Sequence, residues 1–380
     1  MIYLDNAATS FPKPAECLRQ AVERYLEMGA SPGRGGYDMA VEAEAAVSAV
    51  RRKLRRFFGA GDDHRVCFAH NATDALNSLL QGLLRPGDHV VSTRLEHNSV
   101  LRPLHHLRKE GRIRFDLVPF DSSGFIEPEK VAAALKPETR LVILTHASNV
   151  LGTVQPVAEI AAACRARGVP LVLDASQSAG VVPIRIDKWG VQGLAFTGHK
   201  SLLGPTGIGG LVLGPALDPE PTRFGGTGVD SRSPFHTLEY PFRLEAGTIN
   251  LLGVLGLEAS LDYVSRSSSA SYSRELLLLK RLREGLRILP RVRLLCADRL
   301  DRRLPVLTCT VADRSSEDVS AILDGDFGIA VRAGLHCAPL VHQDLGTIEK
   351  GAVRFSLGPF TTDAEIDATI GAMRAIAGGT

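Results

Sequence analysis

The chain has 380 residues, of which 44% are hydrophobic and 23% charged, ordinary values for a globular protein long enough for two domains. Its formal net charge of +2 gives no electrostatic reason to expect a nucleic acid partner. The N-terminus lacks the basic region of a signal peptide, no apolar run reaches the length of a membrane span, and the six cysteines are dispersed, so we expect a cytoplasmic protein without a membrane partner.

Short apolar segments alternate with helical patterns through the first two thirds of the chain. The predicted strands are Val66–Ala69, Asp88–Ser92, Ile113–Pro119, Arg140–Thr145, Val169–Asp174, Gly193–Thr197 and Ile208–Leu213. The predicted helices are Met39–Phe58, Ala72–Leu84, Pro128–Leu135 and Val157–Arg167. This alternation predicts an α/β domain built on a mainly parallel, doubly wound sheet of seven strands.

The remainder of the chain has a different pattern. It begins with a long helical stretch, Gly253–Leu289, which we expect to be interrupted by the serine-rich segment Ser265–Ser271. The strands predicted after it are Val292–Cys296, Val306–Val311, Ile329–Arg332 and Ala352–Ser356, and the helices are Ser315–Leu323 and Asp363–Ala377. We therefore predict a large domain at 13–255 and a smaller α+β domain formed by 1–12 and 256–380.

An aspartate and a lysine follow two neighbouring predicted strands. Asp174 ends the run Leu171–Asp174, and Lys200 follows the run that ends at Thr197. Parallel strands bring their carboxyl ends to one edge of the sheet, where α/β proteins bind ligands. Pyridoxal phosphate (PLP) needs an aspartate to keep its pyridine nitrogen protonated and a lysine to form a Schiff base. A single lysine is usually a surface residue, but this pairing indicates a PLP enzyme.

A helix that begins directly after a strand offers a place for the cofactor phosphate. The segment His70–Asn77 runs from a predicted strand into a helix, whose first N–H groups suit a dianion. An equally good reading is that Asn71 or Thr73 only caps the helix. The glycines of 204–210 open onto a strand and lack the dinucleotide-binding order. Cys67 and His70 have no second pair of ligands, so we predict no metal site.

Nine segments resemble, in order, those of the PLP-dependent cysteine desulfurases and selenocysteine lyases of aminotransferase class V. They are Tyr3–Thr9, Asn71–Thr73, Glu96–Ser99, Ser148–Thr153, Asp174–Gln177, Thr197–Lys200, Glu245–Thr248, Arg332–Pro339 and Arg354–Leu357. The resemblance covers nearly the whole chain. It implies a type I PLP fold and a homodimer.

The resemblance also implies a role for individual residues in holding PLP. Lys200 would bind the cofactor covalently and move the substrate Cα proton, and Asp174 would pair with the ring nitrogen. His97 would stack on the ring, and Gln177 would donate to the phenolic oxygen. The other expected cofactor contacts are Ala72, Thr73, Asn149, Thr197 and His199, together with Thr248 acting on the neighbouring subunit.

The substrate and the reaction follow from the same resemblance. Arg354, with Asn149 and Arg332, would bind the carboxylate of an amino acid. Cys337 lies in a loop bracketed by glycine and proline near cationic groups, a setting that favours thiolate. It would take sulfur from L-cysteine as a persulfide, release L-alanine and pass the sulfur to an acceptor protein.

Two alternatives remain open from the sequence. The first is another class V reaction, such as selenocysteine cleavage, β-elimination or transamination, for which Cys337 would matter little. The second is a non-catalytic sulfur-relay protein with a vestigial site, which the complete set of Asp174, Lys200, His97 and Arg354 disfavours.

Overall fold

The computed structural model describes residues 1–33, 35–229 and 231–378. The strands are β1 (Ile2–Tyr3), β2 (Arg65–Ala69), β3 (Asp88–Thr93), β4 (Ile113–Val118), β5 (Thr139–Thr145), β6 (Leu171–Asp174), β7 (Gly193–Thr197), β8 (Gly209–Leu213), β9 (Val292–Leu294), β10 (Val306–Val311), β11 (Ile329–Ala330) and β12 (Val353–Ser356). The helices are α1 (Ala15–Met28), α2 (Asp38–Phe57), α3 (Ala72–Leu83), α4 (Asn98–Lys109), α5 (Pro128–Ala134), α6 (Val157–Ala166), α7 (Ile186–Trp189), α8 (Leu251–Arg287), α9 (Ser316–Phe327), α10 (Pro339–Asp344) and α11 (Asp363–Gly378).

The central sheet has seven strands in the order β2-β8-β7-β6-β5-β3-β4. Only β8 runs against its neighbours, so the predicted mainly parallel sheet is confirmed. Successive residues of a strand point to opposite faces, and here both faces are buried: Val90 lies in one apolar cluster and Val91 in another. The strands therefore read as continuous apolar runs, as parallel sheets covered on both sides do.

The two strands that carry the predicted cofactor residues are adjacent. Strand β6 pairs in parallel with β7, and Asp174 lies opposite Ala195. Since β7 ends at Thr197, Lys200 follows three residues beyond the end of a strand that neighbours Asp174. This adjacency of Asp174 and Lys200 positions the site at the carboxyl edge of the sheet.

A third apolar cluster surrounds a three-stranded sheet of order β12-β10-β9, and a parallel pair joins β1 to β11. The first half of α8 packs on the large sheet through Leu251 and Leu257, and its second half packs in the smaller cluster through Leu279 and Leu286. The helix thus crosses the predicted boundary between 255 and 256. The division into domains at that position stays a prediction.

The expected interruption of the long helix at Ser265–Ser271 is wrong, because α8 is continuous from Leu251 to Arg287. Serine hydroxyls on this helix donate to carbonyls one turn earlier, from Ser267 to Tyr263 at 2.9 Å and from Ser273 to Ser269 at 3.0 Å. These bonds satisfy the hydroxyls within the helix instead of drawing the backbone into a turn.

Within the described ranges, no helix is both long and apolar enough to cross a membrane. The same residues contain no group of three or more His, Cys, Asp or Glu side chains placed to hold a metal ion.

Candidate active site

A cavity of about 910 Å³, including its open mouth, lies at the carboxyl edge of the large sheet. Twelve of the thirteen residues proposed from the sequence line it: Ala72, Thr73, His97, Asn149, Asp174, Gln177, Thr197, His199, Lys200, Arg332, Cys337 and Arg354. The sequence did not predict the other lining residues as site residues, and it indicated Asn71 only as a helix cap. These residues are Ala7, Ala8, Asn71, Ser99, Thr145, Ser176 and His336. Most of these belong to the segments that carry the resemblance, which was the signal available.

Asp174 is held as a directed acceptor. Its Oδ1 accepts from the backbone N–H of Ser176 at 2.9 Å and from the Ser176 hydroxyl at 2.5 Å. Among the described residues no donor reaches Oδ2, so this oxygen is available to a protonated ring nitrogen in the cavity. Only 4% of Asp174 is exposed, and an ion pair formed there would be little screened by solvent.

Lys200 faces the cavity rather than bulk solvent. Burial, the largest effect, lowers its pKa to about 8, and the nearby guanidinium groups of Arg354 and Arg332 act in the same direction. The carboxylate of Asp174 opposes this shift. A lysine with a lowered pKa has a larger fraction of neutral amine near pH 8, which is the form that attacks a carbonyl carbon.

The N-terminus of α3 points its first turn toward the cavity. Asn71 caps the helix, since its side chain accepts from the N–H of Asp74 at 3.0 Å. Thr73 does not cap it and instead shares a hydrogen bond of 2.7 Å with the Ser99 hydroxyl. The cap and the anion site are therefore supplied by different residues, and Thr73 and Ser99 lie together on the cavity wall.

His97 is oriented by the helix that it caps. Its Nδ1 accepts from the N–H of Ser99 at 3.0 Å, which places the ring proton on Nε2. Burial, and then the charge of Lys200, lower the pKa of His97 to about 4. The imidazole is therefore neutral at physiological pH, and a neutral ring can stack on a pyridine ring without the cost of a buried charge.

Three buried polar atoms of cavity-lining residues have no partner among the described residues: Thr197 Oγ1, His199 Nδ1 and Arg354 Nε. Buried polar atoms are normally hydrogen-bonded, so these atoms can be satisfied by a ligand bound in the cavity. These atoms, the Asp174–Lys200 pair and the N-terminus of α3 together fit PLP, since they provide an anion site, a carboxylate and an amine.

The guanidinium of Arg354 is only 1% exposed and is already held on two sides. It donates to Asp5 Oδ1 at 2.7 Å and to the carbonyl of Asn149 at 3.0 Å, while its Nε has no partner among the described residues. Arg332 has fewer hydrogen-bond partners, and its Nη2 lies 3.6 Å from Cys337 Sγ. A carboxylate entering the cavity therefore meets two guanidinium groups, one rigid and one free to move.

Cys337 lies on a loop with an unusual backbone. His336 and Cys337 both have left-handed conformations, with φ of 51° and 56°, two residues beyond Gly334 at φ 94°. Two hydrogen bonds hold this shape: Asn149 Nδ2 donates to the carbonyl of His336 at 2.7 Å, and the backbone N–H of Asn98 donates to the carbonyl of Cys337 at 2.7 Å. Such strain at consecutive residues is typical of functional sites.

A pair of buried histidines, His336 and His342, is hydrogen-bonded within and next to the same loop. His336 Nε2 lies 3.2 Å from the carbonyl of Arg332, and a carbonyl accepts only, so Nε2 carries the proton. His336 Nδ1 is then an acceptor for His342 Nε2 at 3.2 Å, and His342 Nδ1 accepts from the Thr347 hydroxyl at 2.9 Å. Burial lowers the pKa of His336 to about 2 and that of His342 to about 4, so both rings are neutral.

Thr248 is the one proposed residue that the fold does not bring to this cavity. It lines a separate pocket with His70, Asp74, Arg223 and Glu245. That pocket is bordered by His70 and Asp74 and the Lys200 cavity by Asn71, Ala72 and Thr73, so both border the segment that opens α3. A role for Thr248 in the neighbouring subunit's site stays a proposal.

Comparison with known proteins gives a consistent assignment. The family model for aminotransferase class-V matches residues 2–369. A probable cysteine desulfurase of Methanothermobacter thermautotrophicus is 33% identical over 99% of this chain and 95% of its own length. The cysteine desulfurase of Pectobacterium atrosepticum is 30% identical over 99% of this chain and 93% of its own.

Solved structures agree. The apo structure of a cysteine desulfurase from Thermococcus onnurineus NA1 superimposes with a TM-score of 0.93 at 32% identity, covering 100% of this chain and 95% of that one. A cysteine desulfurase from Escherichia coli, solved with an S-sulfonic acid, has a TM-score of 0.85 at 27% identity over 98% and 94% of the two chains. The type I PLP fold expected from the sequence is confirmed, and this chain belongs to the class-V aminotransferase family of PLP-dependent enzymes.

Proposed function

We propose that this chain is a cysteine desulfurase that converts L-cysteine to L-alanine and keeps the sulfur as a persulfide on Cys337. The observation that carries the proposal is the position of Cys337. It lines the same cavity as Lys200 and Asp174, with the Arg332 guanidinium 3.6 Å from its sulfur. A thiol so placed has a use in attack on a substrate sulfur and none in simple transamination.

When bound, PLP withdraws electrons from the substrate Cα. Asp174 Oδ2 would pair with the protonated ring nitrogen of the cofactor, and Thr73, Ser99 and His199 would hold its phosphate. Gln177 is the candidate donor to the phenolic oxygen, because its Nε2 donates to the carbonyl of Ala7 at 3.0 Å and keeps a second hydrogen. Lys200 Nζ accepts and returns the Cα proton, for which a pKa near 8 suits the task.

Arg354 and Arg332 receive the carboxylate of the amino acid. Arg354 is fixed by Asp5 and the Asn149 carbonyl, so it provides an oriented charge that needs no rearrangement on binding. Arg332 Nη2 also lies 3.6 Å from Cys337 Sγ, so one of the groups that receive the carboxylate contacts the nucleophile.

Cys337 then attacks the substrate sulfur. A sulfur–sulfur bond forms as the substrate Cβ–S bond breaks, the electron pair of that bond stays with the carbon fragment, and protonation of that fragment yields alanine. No external oxidant is required, because the two electrons that the substrate sulfur loses on becoming the outer sulfur of the persulfide reduce Cβ, which becomes the methyl group of alanine.

The assembly and partners belong to the same proposal. A homodimer is supported by the separation of Thr248 from this chain's own cavity. A sulfur-acceptor protein is needed to regenerate Cys337. All six cysteines are free thiols, which suits the cytoplasm as the compartment of the enzyme.

Intact-protein mass spectrometry after incubation with L-cysteine tests the function. We expect one added sulfur on Cys337 and release of alanine, and neither in Cys337→Ala, whose cofactor absorbance should equal that of the wild type. Cys296→Ala, which changes the other half-buried cysteine, is the matched control and should behave as wild type. Sulfur on another cysteine, or alanine release by Cys337→Ala, would contradict the proposal.

A further inference from the structure

A groove runs from the Cys337 loop along the outer face of α4. It is lined by Arg102, His105, His106 and Lys109 of α4 and by Pro339 and Leu340, which come just after Cys337. The four α4 side chains are exposed. We call these six residues the basic groove.

The basic groove begins at the nucleophile. The N–H of Asn98, the first residue of α4, donates to the carbonyl of Cys337 at 2.7 Å. The Sγ atom of Cys337 faces the cavity. Cys337 therefore stands between the cavity, where it would receive sulfur, and the basic groove. A thiol that collects the sulfur must approach from the open side of this loop.

The fixed charges in the basic groove are unpaired. Arg102 and Lys109 form no ion pair with any carboxylate among the described residues, whereas His106 lies 3.1 Å from Glu110. Arg108 adds a third cation at the rim, stacked over Phe115 with its Nη2 3.0 Å from His105. A partner segment that carries carboxylates would meet complementary charge.

The dimensions and composition favour a polypeptide over a nucleic acid. From Asn98 to Lys109 the helix rises about 16 Å, the length of about five extended residues. Pro339 and Leu340 give an apolar wall that suits side chains. Two unpaired cations and one at the rim are few compared with the six to ten phosphate contacts typical of nucleic acid binding.

We propose that the basic groove docks an acidic segment of about five residues that flanks the acceptor cysteine of a sulfur-acceptor protein. This inference rests on the proposed function. In the transfer step the acceptor thiolate attacks the outer sulfur of the Cys337 persulfide, so a new sulfur–sulfur bond forms on the acceptor. The old bond breaks, and Cys337 leaves as a thiolate and takes up the proton lost by the acceptor.

Synthetic cysteine peptides test the proposal. The holoenzyme is given L-cysteine and one of three peptides of equal length, in which glutamate, glutamine or lysine flanks a single cysteine. Persulfide on the peptide is measured by mass spectrometry and divided by the rate with dithiothreitol, so that effects on earlier chemistry cancel. We expect the acidic peptide to exceed the basic one about three- to thirtyfold at low salt, as a few exposed ion pairs allow.

Charge reversal supplies the control. Arg102→Glu with Lys109→Glu should make the basic peptide the better acceptor. Arg140→Glu with Arg287→Glu makes the same change in net charge at two exposed positions elsewhere, which form no ion pair with the described residues, and should keep the wild-type order. Equal rates for the three peptides, or the same order in both double variants, would overturn the docking proposal.

A binding measurement separates docking in the basic groove from the desulfurase function. Fluorescence anisotropy with a labelled acidic peptide, its cysteine replaced by serine, should show affinity that falls with salt and is lost in the reversed variant. Tighter groove-dependent binding of a single-stranded RNA oligomer of equal charge would assign the basic groove to nucleic acid instead. Absence of alanine with dithiothreitol would refute the desulfurase function, while alanine formation without peptide preference would refute the basic groove alone.

Discussion

The histidine pair beneath the Cys337 loop gives a prediction whose size can be worked from the structure. In His342→Ala, His336 Nδ1 loses the donor that the described residues supply to it and stays buried, since just 3% of His336 is exposed. An unpaired buried nitrogen costs about 1–3 kcal/mol. The left-handed conformations of His336 and Cys337 each cost about 1–3 kcal/mol as well. The loop therefore keeps this conformation only with the support of hydrogen bonds such as the one from His342.

A loss of about 1–3 kcal/mol shifts a conformational equilibrium about 5- to 150-fold. We therefore expect sulfur loading of Cys337 to slow within that range in His342→Ala, while the absorbance of bound PLP is unchanged. The assay is quenched-flow intact mass, supported by the rate of Cys337 alkylation without substrate. That second rate reports the loop and not catalysis.

Three variants make the argument refutable. His342→Gln keeps an N–H donor and should recover part of the rate, and Thr347→Val, which removes the hydroxyl donor to His342 Nδ1, should show a smaller loss. Gln343→Ala, the exposed next residue of α10, should match the wild type. Wild-type loading in His342→Ala, or an equal loss in Gln343→Ala, would show that the pair does not position the loop.

Three further predictions concern the cofactor, the substrate and stability. Lys200→Ala should lose the borohydride-reducible link to PLP, because no other lysine of the described residues lines the cavity. A link formed at the wild-type level in this variant would show that Lys200 is not the residue that binds PLP covalently. In Arg354→Lys the lysine cannot make both contacts of the arginine, to Asp5 and to the Asn149 carbonyl, so the KM for L-cysteine should rise about ten- to hundredfold, as expected for lost hydrogen bonds to a charged group. Arg302→Lys, at an exposed position, is the control and should leave the KM unchanged. An unchanged KM in Arg354→Lys would contradict the role assigned to Arg354. Stability against urea should rise with pH to about 6.5 and decline above, by about 1.4 kcal/mol per pH unit for each net proton. Below pH 6.5 the unfolded chain binds protons on five histidines whose folded pKa is lowered to about 4 or below. Between pH 4.5 and 8 the unfolded chain releases protons from two glutamates whose folded pKa burial raises to about 8. These groups are His97, His146, His199, His336, His342, Glu96 and Glu275. A midpoint that falls steadily from pH 5 to pH 6.5 would contradict the assignment.

The sequence alone determined the large sheet and the pairing of Asp174 with Lys200. Both follow from short-range regularities: buried parallel strands are apolar on both faces, and neighbouring parallel strands end at one edge. That pairing indicated PLP as the cofactor, and the resemblance of nine segments added the other site residues, including Cys337. Twelve of the thirteen proposed residues could be brought to one cavity because each lies at or near the end of a strand or helix.

Only the tertiary structure decided the contacts between segments that are far apart in the chain. Arg354 is held by Asp5 across 349 residues, and no local pattern announces that pair. The continuity of α8 through its serines depends on hydroxyl bonds and on packing against two apolar clusters, whereas propensity alone suggested a break. His342 meets His336 because the Cys337 loop turns through two left-handed residues. A backbone conformation that is unfavourable locally is stable only where the surrounding fold supplies its partners.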